Sequence, residues 1–164
     1  GLLVTVLPSD FGTEHPLGGV FLQEQLEEAA FRLGGGNYFA PCQRVEDFLA
    51  HRPSVGPGKV TPSYAPGVTW TDLHECLPEF LTETLEQALP MLGKKLHGFD
   101  DPDAVLTAIE SRSSSPVRIP RDETGQSSIS GLYPCGEGAG YAGGIMSAAA
   151  DGMKVAERIA EGVF

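Results

Sequence analysis

The chain has 164 residues, with 11 Lys+Arg against 22 Asp+Glu and a net charge of −11. That length fits one domain or little more, and 41% hydrophobic residues are enough for a core without disulfide or metal staples. So acidic a chain excludes nucleic acid and anionic membranes as partners, because phosphate binding needs a clustered positive field, and no apolar run is long enough to span a bilayer.

Gly1-Leu2-Leu3-Val4-Thr5-Val6 has no Met and no basic stretch, so it is not a signal peptide. Residues 1–7 read as a short buried strand met in mid-chain, so the expectation is a piece of a longer protein. Leu22, Leu26, Ala29, Ala30 and Leu33 recur at helical spacing and predict a helix over 16–33, with Gly34 as its C-terminal cap. Residues 45–50 have room for one or two helical turns. The stretch 51–69 is rich in proline and glycine and reads as a loop.

Asp72 and Glu75 have the spacing of a capping box, and Pro78 suits the first residue of a following helix. Leu81, Leu85, Ala88 and Leu89 continue that helix's apolar stripe, and Gly93 helps to end it. Residues 104–109 and 116–119 read as strands, and 121–128 as a polar, hairpin-like excursion. A strand over 131–135 and a last helix over 142–163 complete the reading. The expected fold class is α+β: short mixed strands with three to four helices, closing on a strand, a glycine-rich turn and a helix.

Cys42, Cys76 and Cys135 are odd in number and far apart, which is no disulfide framework and fits a reducing, cytoplasmic setting. The histidines His15, His51, His74 and His97 are scattered, so no metal site is expected and His74 reads as structural. Trp70 reads as a core anchor. The acids Glu24, Glu27, Glu28, Glu83 and Glu86 read as solvated helix faces.

Seven of the 21 glycines lie between Gly131 and Gly152, a clustering that asks for a backbone reason. Strand, glycine turn and helix together can present free N–H groups to an anion. No Lys-Ser or Lys-Thr follows the glycines, so this is no triphosphate loop. Gly138-x-Gly140-x-x-Gly143 satisfies a dinucleotide string, but no later strand completes a βαβ unit. From the residues alone the turn either binds a ligand or merely packs a helix. Arg112 and Arg118, flanking Ser113-Ser114-Ser115, either hold an anionic group or pair with nearby acids.

The stretch Gly131-Leu-Tyr-Pro-Cys-Gly-Glu-Gly-Ala-Gly-Tyr-Ala-Gly-Gly-Ile-Met-Ser-Ala-Ala-Ala-Asp-Gly152 closely resembles the C-terminal signature of a bacterial family of FAD-dependent dehydrogenases. Three other blocks resemble the same family in order: Gly34 to Pro41, Trp70 to Pro78, and Ser113 to Ile119. The resemblance implies residues 1–130 as part of a substrate-side lobe and 131–164 as the FAD-contacting strand, turn and helix. It implies Gly136, Glu137, Gly138, Tyr141, Gly143, Gly144, Ile145 and Met146 at the cofactor, with Glu137 on the ribityl chain. It implies Arg112, Ser114 and Arg118 at the substrate, which it does not identify.

The family's N-terminal dinucleotide-binding half is absent here. The isolated chain is therefore expected to bind FAD weakly or not at all, to be inactive alone, and to leave apolar surface bare for self-association. No residue is assigned as general acid or base. Two rival readings stay open: a stand-alone acidic interaction domain, and a small phosphate ligand at Ala142–Met146.

Overall fold

The computed structural model describes residues 1–162; Val163, counted in the last predicted helix, lies outside the described residues. The architecture is α+β, as expected. Among the described residues, four α-helices accompany one three-stranded sheet: α1 (Gly18–Leu33), β1 (Ala40–Arg44), α2 (Val45–Leu49), β2 (Val68–Trp70), α3 (Glu79–Gly93), β3 (Val105–Thr107) and α4 (Ile145–Ala160). The sheet order is β2-β1-β3, with β1 parallel to β2 and antiparallel to β3. The chain divides into two compact units. One is Gly1–Val6 with Glu24–Ser111; the other is Leu7–Gln23 with the described chain from Arg112 on.

The first unit holds the sheet and the main core. Val45, Phe48, Leu73, Cys76 and Leu89 are buried together, and Leu2, Ala29, Leu33, Leu85 and Leu106 pack on them. The apolar stripes of α1 and α3 thus do what their spacing implies. The end of α1 differs in one detail. Gly34 is not in the left-handed region; Gly35 and Gly36 are, at φ +104° and +73°. Gly35 N–H donates to Arg32 O and Gly36 N–H to Phe31 O, so the cap lies one residue later. Gly34 is required for space instead, since a Cβ there would meet Phe39 O.

β1 was not predicted. Its sequence, Ala-Pro-Cys-Gln-Arg, has no alternation and no β-branched residue. Pairing on both sides makes it a strand, and Pro41 keeps its place by accepting from Ala108 N at 3.0 Å. Gln43 is wholly buried and its amide is satisfied. Nε2 donates to Arg52 O at 2.9 Å, and Oε1 accepts from Leu73 N at 2.9 Å. Burial by itself would raise the Asp47 pKa, but donors from Ser54, Arg52 and Arg44 outweigh it and hold the carboxyl below its usual range.

Asp72 caps a 3-10 turn over Leu73–Glu75 by accepting from His74 N, and Pro78 stands at the N-cap of α3, one place before the position predicted. Trp70 is half-buried in β2 rather than a core anchor.

Three predicted strands are corrected. Residues 1–7 alternate between half-buried and exposed, as a strand would, but no ladder pairs them. Residues 116–119 and 131–135 are irregular. Pro116, Pro120 and Pro134 supply no N–H, and the bonds that do form run to turns: Ile119 N to Ala139 O and Ser127 N to Leu132 O. No helix among the described residues is long and apolar enough to cross a membrane.

Candidate functional site

Two stretches of the second unit are joined side by side. Ser115 Oγ lies 2.8 Å from Val117 O and 3.1 Å from Gly138 O. Ile119 N donates to Ala139 O, and Tyr141 OH donates to Ile119 O at 3.0 Å. Between these bonds Gly140, at φ +82°, sits so close that a Cβ would come within 2.6 Å of Val117 O. Only glycine satisfies both conditions.

The resulting groove has a volume of about 410 Å³, and its walls include Arg112, Ser114, Val117, Glu137 and Gly138, with Val20 and Gln23 from the start of α1. Two residues singled out for substrate, Arg112 and Ser114, therefore face the same space as two singled out for cofactor, Glu137 and Gly138. Arg118 is not among its lining residues. Its guanidinium lies 4.3 Å from the Tyr141 ring centroid, and that of Arg121 lies 3.6 Å from it. Tyr141 is thus held at both its ring and its hydroxyl.

The turn is anchored to α4 by a pair the sequence did not single out. Arg121 Nη2 donates to Asp151 Oδ1 at 2.6 Å and Nη1 to Asp151 Oδ2 at 2.9 Å. The same carboxylate accepts from Gly136 N at 2.8 Å, and Arg121 also donates to Pro134 O. The Arg121 guanidinium and the Gly136 N–H hold the Asp151 carboxyl at about 2, well below its usual 3.8. No spacing rule relates residues thirty positions apart, so only the folded chain reveals the clamp.

The glycines fall into two kinds. Gly136 and Gly140 have positive φ, +71° and +82°, and serve the chain's own turn. Gly138 and Gly143 do not, and a Cβ on either would meet nothing within 4 Å. Their smallness answers no need of the described chain. α4 begins beside Gly143 with Gly144 as N-cap, no side-chain cap bond and no acid in its first turn. Ile145 and Met146 are 89% and 81% exposed there. Cys135 is exposed. Cys42 and Cys76 are buried, and burial pushes both thiols up to about 11, which keeps them protonated and unreactive.

Residues 1–113 match the family described as FAD-dependent protein, C-terminal domain-like, and the chain belongs to that family. Over 161 residues it is 50% identical to an uncharacterized protein of Clostridium beijerinckii, a similarity that covers 98% of this chain. The chain spans 30% of the length of that relative.

Proposed function

We propose that this chain is the C-terminal region of an FAD-dependent oxidoreductase, contributing a substrate-side lobe over residues 1–130 and one wall of the flavin site over 131–164. The observation that carries this reading is the groove shared by Arg112, Ser114, Glu137 and Gly138. The donor set suits a flavin and a polar substrate. Glu137 offers a carboxylate to ribityl hydroxyls, while Arg112 and Ser114 offer a cation and a hydroxyl to an anionic group. Gly138 and Gly143 leave the approach free of any Cβ.

Bound FAD would supply hydride or electron-pair transfer, and the protein's share is placement and polarisation. Glu137 orients. Gly143, Gly144, Ile145 and Met146 would hold the flavin at the uncapped start of α4, whose N–H dipoles would favour negative charge on it. Gly136 and Tyr141 act through the turn they hold. Arg118 and Arg121 keep Tyr141 in place, so in this reading Arg118 acts through the turn rather than on the substrate.

The test is made on the longer protein that carries this chain. FAD per polypeptide is measured by absorbance after desalting, in the wild type and in Glu137→Ala. The reading expects retention to fall at least ~10-fold in the variant, from the loss of one or two charge-assisted hydrogen bonds. Undiminished retention would rule out the ribityl contact. A longer protein that never binds flavin would rule out the whole reading and favour an acidic interaction domain.

A further inference from the structure

The loop after α2, the 3-10 turn before α3 and α3 itself bring two histidines and a glutamate together in the unit that holds the sheet. His74 Nε2 lies 2.9 Å, and His51 Nε2 3.3 Å, from the same atom, Glu86 Oε1. One ligand atom from each residue lies within 4.8 Å of the other two. A tetrahedral ion with bonds of ~2.0–2.1 Å to imidazole and carboxylate spaces its ligand atoms about 3.3 Å apart. The two contacts are already close to that edge length.

The far side of His74 is fixed. Its Nδ1 lies 2.7 Å from Asp72 Oδ1, which also accepts the His74 backbone N–H at 3.0 Å and Gln43 Nε2 at 3.3 Å. A proton on Nδ1, shared with that carboxylate, leaves the Nε2 lone pair directed at Glu86. Metal-bound histidines are oriented by this kind of carboxylate. The His74 ring is also stacked, with Phe48 and His51 each 4.6 Å away between centroids. His51 itself projects from a left-handed backbone, φ +50°, which few residues adopt.

A cationic His74 between Asp72 and Glu86 accounts for two of these contacts. One ion held by all three residues would also account for a second histidine stacked on the first and aimed at the same oxygen. We propose that His51, His74 and Glu86 form a divalent transition-metal site of the two-histidine, one-carboxylate type, with zinc(II) as its ion and Asp72 orienting His74. The fourth position faces solvent, because the His51 side chain is 64% exposed. The ion clips the end of α2, the 3-10 turn and α3 together. This goes beyond the flavin reading and is independent of it.

The test uses the full chain, stripped with a chelator and titrated with zinc(II) and, in parallel, cobalt(II). The expected result is one equivalent bound per chain, visible absorption typical of four-coordinate cobalt, and a thermal midpoint that rises with free zinc. His51→Asn retains a residue that tolerates the left-handed backbone, and Glu86→Gln retains shape; each weakens binding at least ~10-fold, as even a supporting residue does. Asp72→Asn still caps the turn and weakens binding ~10–100-fold. His97→Asn leaves it unchanged. Nitrogen NMR of the wild-type histidines provides a readout that needs no variant, with zinc shifting Nε2 of His51 and His74. The proposal is overturned by an absence of stoichiometric binding, by shifts confined to His15 and His97, or by full affinity in the His51→Asn, Glu86→Gln double variant.

Discussion

The two units keep their order by different means. In the first, Phe48, Val45, Leu73, Cys76 and Leu89 exclude water and a sheet pairs β2 and β3 on either side of β1. In the second, the buried apolar side chains among the described residues are few (Pro134, Ala139 and Val155), while Ile145, Met146 and Met153 face outward. There the order comes from a guanidinium–carboxylate clamp, a tyrosine held at ring and hydroxyl, and glycines in left-handed turns. A region that fixes its backbone by polar contacts and directs its large apolar residues outward is suited to receive something against that surface. In the proposed reading, that something is the flavin and the rest of the enzyme.

The contrast breaks most visibly in the core. Phe48→Ala removes a fully buried ring and is expected to cost about 3–5 kcal/mol of the first unit's stability. Urea unfolding followed through Trp70, the single tryptophan and a residue of that unit, measures it. Arg121→Leu leaves Asp151 with only its Gly136 N–H donor, strips Pro134 O of its Arg121 donor, and is expected to cost ~2–3 kcal/mol. That loss should show as faster amide exchange in residues 134–151, with Ala40–Leu49 unaffected.

The same clamp gives a pH dependence. The Asp151 carboxyl is depressed in the folded chain, so its contribution is complete above the ordinary value of 3.8 and is lost as pH falls toward about 2. Protection of amides 134–151, taken relative to the intrinsic exchange rate, should fall over that window, and the fall should flatten in Arg121→Leu.

The smallest effects separate the two kinds of glycine. Gly140→Ala combines positive φ with a contact against Val117 O and should cost ~1–3 kcal/mol. Gly143→Ala meets nothing and should leave thermal stability within about 0.5 kcal/mol. In the longer protein it should nonetheless weaken flavin retention. Equal stability losses in the two variants would erase the distinction.

The helices were legible because burial repeats along them: Leu26, Ala30, Leu81 and Leu89 are inside as their spacing requires. β1 was not, because strand character there comes from neighbours remote in sequence rather than from Ala-Pro-Cys-Gln-Arg itself. The stretches 1–7, 116–119 and 131–135 failed for the converse reason, having suitable residues but no ladder. At the groove, Arg112, Ser114, Glu137 and Gly138 could be singled out one by one. Arg121 with Asp151, and His51 with Glu86, could not, since pairs distant along the chain carry no spacing signal.

Amide hydrogen exchange of the longer protein, with and without FAD, tests the central claim most directly. The account predicts that FAD slows exchange across residues 136–149 and leaves Ala40–Leu49 unchanged. Equal protection of both segments, or no protection at 136–149 in a protein that demonstrably holds FAD, would contradict it.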